Sequence, residues 1–183
     1  MFERYPHQSA TDGGLAFRAA RFAMDAHRGQ VRKYTGEPYH KHLAEVAGFV
    51  AAVSQSQAVV AAAWLHDVLE DTATSYEAIR RAFGTEVASL VSQVTDVSRP
   101  EDGNRAKRKA VDRCHLAGSS PAGATIKLAD LISNSTSIVV HDRAFASVYL
   151  GEKAALLDVL GHGDPSLMAL AREVLDAARR SLA

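Results

Sequence analysis

At 183 residues the chain has room for one ordinary domain, and 47% apolar residues are enough to build a sizeable core. Lysine plus arginine total 21 and aspartate plus glutamate total 21, so there is no net basic field to hold a nucleic-acid backbone non-specifically. Any anionic ligand has to be gripped locally. The single cysteine, Cys114, excludes an internal disulfide and a multi-cysteine zinc site, so a bound metal must use histidines and carboxylates. The stretch from Met1 to Gly14 is polar, and the longest apolar run, Ala58 to Leu65, is far too short to span a bilayer. These features point to a cytoplasmic protein that meets no membrane.

Apolar residues recur at helical spacing along the chain, with turn formers confined to the gaps, and no segment alternates convincingly as a strand. A first helix is predicted from about Asp12 to His27, ending near Gly29, followed by a loop over Gln30 to Tyr39. A second helix starts at about His42 and carries Val46, Val50 and Val53. A third, from about Gln57 to Leu69, is apolar on most sides and should be central. Thr74 with Glu77 reads as a capping box for a helix that Gly84 stops. Val87, Leu90, Val91 and Val94 form the stripe of the next, and Ser98 to Asn104 is a surface loop. A basic helix covers about Arg105 to Leu116, and Ser120 and Pro121 open a helix through Ile126, Leu128, Leu131 and Ile132. Two final helices, about Ala146 to Leu160 and Pro165 to Leu182, complete the chain. A homodimer follows if these last helices leave an apolar stripe uncovered.

The run Trp64-Leu65-His66-Asp67-Val68-Leu69-Glu70-Asp71-Thr72 places four titratable groups inside the most buried helix, where apolar packing does not explain them. On a continuous helix His66 and Glu70, Asp67 and Asp71, and Asp67 and Glu70 share faces. Leaving such charges buried and unpaired costs several kcal/mol each, roughly, and a divalent cation would supply the counter-charge. A His-Asp pair alone also reads as a cap or a surface ion pair. Two further groups shift that balance: His42 at the start of the second helix, and Asp130 inside the later apolar helix with Asn134 one turn on.

Taken in order, Ala26-His27-Arg28-Gly29-Gln30-Val31-Arg32-Lys33, Gly36-Glu37-Pro38-Tyr39, Ala63-Trp64-Leu65-His66-Asp67 with Glu70-Asp71-Thr72, Phe83-Gly84 with Val94-Thr95-Asp96, Arg108-Lys109 and Ile126-Lys127-Leu128-Ala129-Asp130 with Asn134 form one pattern. With it the chain resembles the small alarmone hydrolases of the HD family, the hydrolase domain of RelA/SpoT enzymes and the metazoan SpoT homologue. The resemblance implies an all-α HD-domain bundle of about eight to ten helices in a single domain. It implies one metal per chain, Mn²⁺ in relatives, held by His42, His66, Asp67 and Asp130; the residue types alone suit several divalent ions. It implies hydrolysis of the 3′-pyrophosphate of guanosine or adenosine nucleotides, with Glu70, Asp71 and Asn134 as catalytic residues. Arg32, Lys33, Arg108 and Lys109 fall on matching positions and would bind substrate phosphates.

Three positions depart from the family pattern. Leu43 replaces a proline after the first ligand histidine, His40 stands where an apolar residue is common, and Thr136 replaces an arginine two residues after Asn134. Other readings remain open on the sequence. A related HD phosphohydrolase acting on 5′-nucleotides would need the same ligands without requiring Glu70-Asp71 together with Arg32-Lys33, and a binding-only alarmone sensor would bind without turnover.

Overall fold

The computed structural model describes residues 14–182, apart from the side chains of 136–140 inside one helix. The polar N-terminal stretch with His7, the Asp12 start of the first helix and the Thr136 side chain lie outside the described residues. The helices run α1 (Leu15–Ala26), α2 (His40–Val53), α3 (Gln57–Trp64), α4 (Val68–Asp71), α5 (Tyr76–Phe83), α6 (Thr85–Val94), a 3₁₀ turn (Pro100–Asp102), α7 (Arg105–Ala117), α8 (Pro121–His141), α9 (Arg143–Leu157) and α10 (Pro165–Leu182). The fold is all-α; extended pairing among the described residues is one isolated bridge between Val31 and Pro38 in the α1–α2 loop.

Burial explains the order of layers. On α3, Ala58 to Ala63 are buried in succession, and the helix packs against α1, α2, α6 and α8. Its small side chains let those neighbours approach closely. Helix α8, 21 residues long, is the second spine: every residue from Gly123 to Ser133 is buried, and it contacts α2, α6, α9 and α10. The apolar stripe of α10, Leu167, Met168, Ala171 and Leu175, is covered by α8 and α9 of the same chain. That stripe therefore supplies no face for self-association, and the large exposed apolar side chain on the last two helices is Val148 alone among the described residues.

Two local expectations are corrected. The predicted third helix is broken: Leu65 (φ −100°, ψ 2°) leaves α geometry, the chain turns at 65–67, and Asp67 (φ −97°, ψ −4°) opens α4 as its N-cap. The imidazole of His66 bonds through Nδ1 to the carbonyl of Ala63 at 2.8 Å, an acceptor that an unbroken helix would have satisfied with the amide of residue 67. The cap of α5 is Ser75, whose hydroxyl accepts from the Ala78 amide, because Thr74 is engaged with the Thr72 hydroxyl instead. Ser120 does cap α8, accepting from the Gly123 amide at 3.2 Å.

The segment after α6 is tied to α7 by Asp112, only 3% exposed, which accepts from the amides of Val97 and Ser98 and from the Ser98 hydroxyl. Burial opposes ionisation of this carboxyl, but the Ser98 donors and the Lys109 ammonium outweigh it and hold its pKa below the ordinary aspartate value. A depressed carboxyl stabilises the fold above the unfolded value, about pH 3.9, and the contribution fades as pH falls through the lower folded value. Asp112→Asn should therefore lower the urea midpoint near neutral pH and converge with the wild type in acid. Denaturation curves at several pH values check this, and a pH-independent gap would contradict it.

Candidate metal centre

His42 stands in the first turn of α2, His66 and Asp67 in the α3–α4 turn, and Asp130 in the middle of α8. The fold brings these four groups together. His66 Nε2 lies 3.2 Å from His42 Nε2, 3.0 Å from Asp67 Oδ2 and 3.7 Å from Asp130 Oδ1. His42 Nε2 lies 3.4 Å from each of the same two carboxylate oxygens. Both imidazoles and Asp130 are buried, and Asp67 is 14% exposed at its side chain.

The outer contacts decide what the inner atoms can do. The Nδ1 of His66 faces a carbonyl, which only accepts, so Nδ1 carries the proton. The Nδ1 of His42 is 2.8 Å from the Ser133 hydroxyl, which donates to Glu45 at 2.6 Å and so must accept from the ring. Each Nε2 therefore points a lone pair inward, at the other and at two carboxylates. Such a set is repulsive unless positive charge fills it. Without a metal a proton does so: burial opposes the charged form of His66, yet Asp67 and Asp130 push its pKa up to about 10. His42 is raised in the same sense, by Asp130 and Asp67 against burial. Burial works against ionisation of Asp67 and Asp130 as well; His66 for the former and Lys127 for the latter are the leading opposing charges, and both carboxyls lie well below the usual range.

The donor set also fits a divalent ion by size. Bonds of about 2.0–2.2 Å place neighbouring ligand atoms about 3.0–3.5 Å apart, close to the spacings here. One donor atom each from His42, His66 and Asp67 lies within 4.8 Å of the others, and Asp130 adds a fourth oxygen beside both rings.

Around this centre, Asn134 Nδ2 donates to Asp130 Oδ1 at 2.6 Å while its Oδ1 accepts from Arg32 Nη2 at 3.2 Å. Lys127, buried in α8, places its ammonium 3.1 Å from Asp130 Oδ2. Glu70 and Asp71 lie on α4, on the turn that Asp67 opens: their amides donate to the Asp67 carbonyl at 3.2 and 2.9 Å, and both residues keep solvent contact while their carboxyls are partly buried. Glu70 accepts from the Asp96 amide at 3.3 Å, and the Asp71 carbonyl accepts from Gln30. Both carboxyls titrate above their ordinary values, through burial first and then Asp96 for Glu70 and Asp67 for Asp71.

The expected substrate-binding residues divide. Arg32 and Lys33 line a cavity of about 230 Å³ with Tyr34, Tyr39 and Asn134. Lys109 lines a neighbouring cavity of about 240 Å³, though its ammonium is held by Asp96 at 2.5 Å and by Asp112 at 3.4 Å. Arg108 turns away, donating to the Gly103 carbonyl at 2.9 Å. Tyr39, to which the sequence assigned no site role, donates from its hydroxyl to Asp67 Oδ2 at 2.6 Å and stacks on His27. Its place three residues before His42, in the turn leading into α2, is the signal that could have revealed it.

Comparison with known proteins agrees with this geometry. Residues 19–138 match the HD domain family model. The chain belongs to the HD-domain family. It is 38% identical over 148 residues to a probable GTP diphosphokinase, RSH3, of Arabidopsis thaliana chloroplasts, covering 76% of this chain and 21% of that protein. A probable guanosine-3′,5′-bis(diphosphate) 3′-pyrophosphohydrolase of Synechocystis is 41% identical over 123 residues, 66% of this chain and 16% of the relative. The chain thus spans about a fifth or less of these relatives' length. The solved structure of a metazoan orthologue of SpoT that hydrolyses ppGpp superposes with a TM-score of 0.82 at 28% identity, over 99% of this chain and 100% of that one.

Loss of the Tyr39 hydroxyl should loosen Asp67 and weaken divalent-ion binding by about ten-fold or more. Titration of the metal-free protein with Mn²⁺, comparing wild type with Tyr39→Phe, measures this; an unchanged dissociation constant would contradict it.

Proposed function

We propose that this chain, as one catalytic domain, is a metal-dependent 3′-pyrophosphohydrolase of alarmone nucleotides. It converts guanosine or adenosine 3′-pyrophosphate nucleotides to the corresponding 5′-phosphorylated nucleosides and pyrophosphate. The observation that carries this reading is the end-to-end likeness to a protein that hydrolyses ppGpp, joined to the cluster of His42, His66, Asp67 and Asp130. Relatives named as diphosphokinases share only a small part of their length with this chain, and the family model that matches this chain is an HD domain. Hydrolysis rather than phosphoryl transfer is what that part supports.

In this reading the four ligands hold one ion, manganese by analogy with the family. When bound, the ion supplies positive charge against the reacting phosphate and acidifies water. The chain's own groups do the rest. Glu70 and Asp71 flank the ligand Asp67 in sequence and space, and their raised pKa values bring them closer to neutrality, as suits a general base. One of the pair takes the proton of the attacking water. Asn134, fixed between Arg32 and Asp130, orients the ribose side of the reacting phosphate. Arg32 and Lys33 grip the nucleotide in the cavity beside it. No helix is long and apolar enough to cross a membrane among the described residues, and the exposed thiol of Cys114 suits a reducing compartment such as the cytoplasm.

With Mn²⁺, the purified protein should release pyrophosphate from guanosine and adenosine 3′-pyrophosphate nucleotides and leave simple 5′-nucleotides intact. Glu70→Gln and Asp71→Asn should each lower kcat by about 10²- to 10⁴-fold at unchanged metal content. Phosphate release from 5′-nucleotides without pyrophosphate release would replace this reading with another HD phosphohydrolase. Tight nucleotide binding without turnover would replace it with a sensor.

A further inference from the structure

The second cavity, enclosed by α7, α8 and α9, has no role in the reading above. Arg105, Lys109 and Arg113 project into it from α7 at successive turns, Lys127 from α8, and Tyr149 and Lys153 from α9. Most of these cations are already neutralised. Arg105 forms a two-pronged pair with Glu152 at 2.7 and 2.8 Å, Lys109 pairs with Asp96 and Asp112, and Lys127 pairs with Asp130. Lys153 and Arg113 have no carboxylate in ion-pair contact among the described residues; the Lys153 ammonium lies over the Tyr149 ring, 5.1 Å from its centroid. Burial, and then the lysines at 127 and 109 against the pull of Asp130 and Asp96, hold the Lys153 ammonium below the usual lysine pKa. The cavity is thus lined by two basic side chains, Lys153 and Arg113, that no carboxylate of the described residues engages.

Its position says which anion it suits. Tyr149 and Lys153 also line the first cavity, so they form a shared wall between the two. Each alone is smaller than the roughly 300 Å³ at which small-molecule sites begin, whereas the pair together exceeds it. The first cavity is ringed by Tyr34, Tyr39, Arg32 and Asn134, a lining for base and ribose. The second adjoins the metal centre through Lys127, whose ammonium touches Asp130 Oδ2. A phosphate seated at the metal centre would extend its next phosphate into this chamber.

We propose that the chamber between α7, α8 and α9 binds the distal phosphate of the 3′-pyrophosphate, with Lys153 and Arg113 as its uncommitted cations. The proposal rests on the pyrophosphohydrolase reading. Lys153 is a specificity residue: it favours 3′-pyrophosphate over 3′-monophosphate and holds the pyrophosphate product. The α9 segment around Tyr149 thereby acts as substrate wall as well as packing surface.

The test uses the Mn²⁺-loaded full chain as wild type, Lys153→Met, Lys153→Arg and Arg113→Gln, with melting temperatures to establish that each folds. Steady-state kinetics are run on guanosine 3′-pyrophosphates carrying one or two 5′-phosphates, and binding of inorganic pyrophosphate is measured by calorimetry. A lost charge-assisted contact made equally in ground and transition states should raise KM about ten-fold on both substrates, move kcat by less than about three-fold and weaken pyrophosphate binding about ten-fold. Lys153→Arg should restore both, and Arg113→Gln should act in the same direction. Turnover by every variant with unchanged KM and pyrophosphate affinity overturns the chamber but leaves the hydrolase reading intact. A loss confined to the substrate with two 5′-phosphates overturns it too, in favour of a 5′-phosphate site. Absence of wild-type turnover, with pyrophosphate binding that Lys153→Met weakens, instead overturns the hydrolase reading and supports the chamber as a pyrophosphate site.

Discussion

Two imidazoles are held with their protons turned outward, to the Ala63 carbonyl and the Ser133 hydroxyl, and their bare Nε2 atoms turned to each other at 3.2 Å. Two carboxylates close the same space. In a buried setting this arrangement is costly unless positive charge occupies it, because lone pairs and negative charge converge with no water to separate them. The surrounding helices hold its members on separate elements. His42 is fixed by the first turn of α2, His66 and Asp67 by a turn closed on the end of α3, and Asp130 by the buried centre of α8.

Three groups beyond the centre reach it through its carboxylates. Tyr39 restrains Asp67 from the α1–α2 side, while Asn134 and Lys127 hold the two oxygens of Asp130 from within α8. Those same residues open onto the two cavities: Tyr39 and Asn134 line one, Lys127 the other. Asp67 and Asp130 therefore stand between the His42–His66 pair and the side chains that line both cavities.

Much of this was legible in the sequence because helical periodicity and the spacing of His42, His66, Asp67 and Asp130 survive folding unchanged. The break at 65–67 was not. Apolar periodicity runs straight through Leu65 and Val68, and the turn is set by a bond from His66 to Ala63 that periodicity does not encode. Asp67, Glu70 and Asp71 still share one helical turn, α4, while His66 falls in the break before it. Long-range pairing explains the other gaps. Tyr39 meets Asp67 across 28 positions and Arg105 meets Glu152 across 47, and charge patterns along one helix say nothing of either. Arg108 and Lys109 read alike in sequence; in space Arg108 turns to its own loop while Lys109 lines a cavity.

The most direct test of the central claim is anomalous diffraction from crystals grown with Mn²⁺, recorded on both sides of the manganese edge. The account predicts one strong peak about 2.0–2.3 Å from Nε2 of His42 and His66 and from carboxylate oxygens of Asp67 and Asp130. No peak between those residues, or a peak held by other side chains, would contradict it.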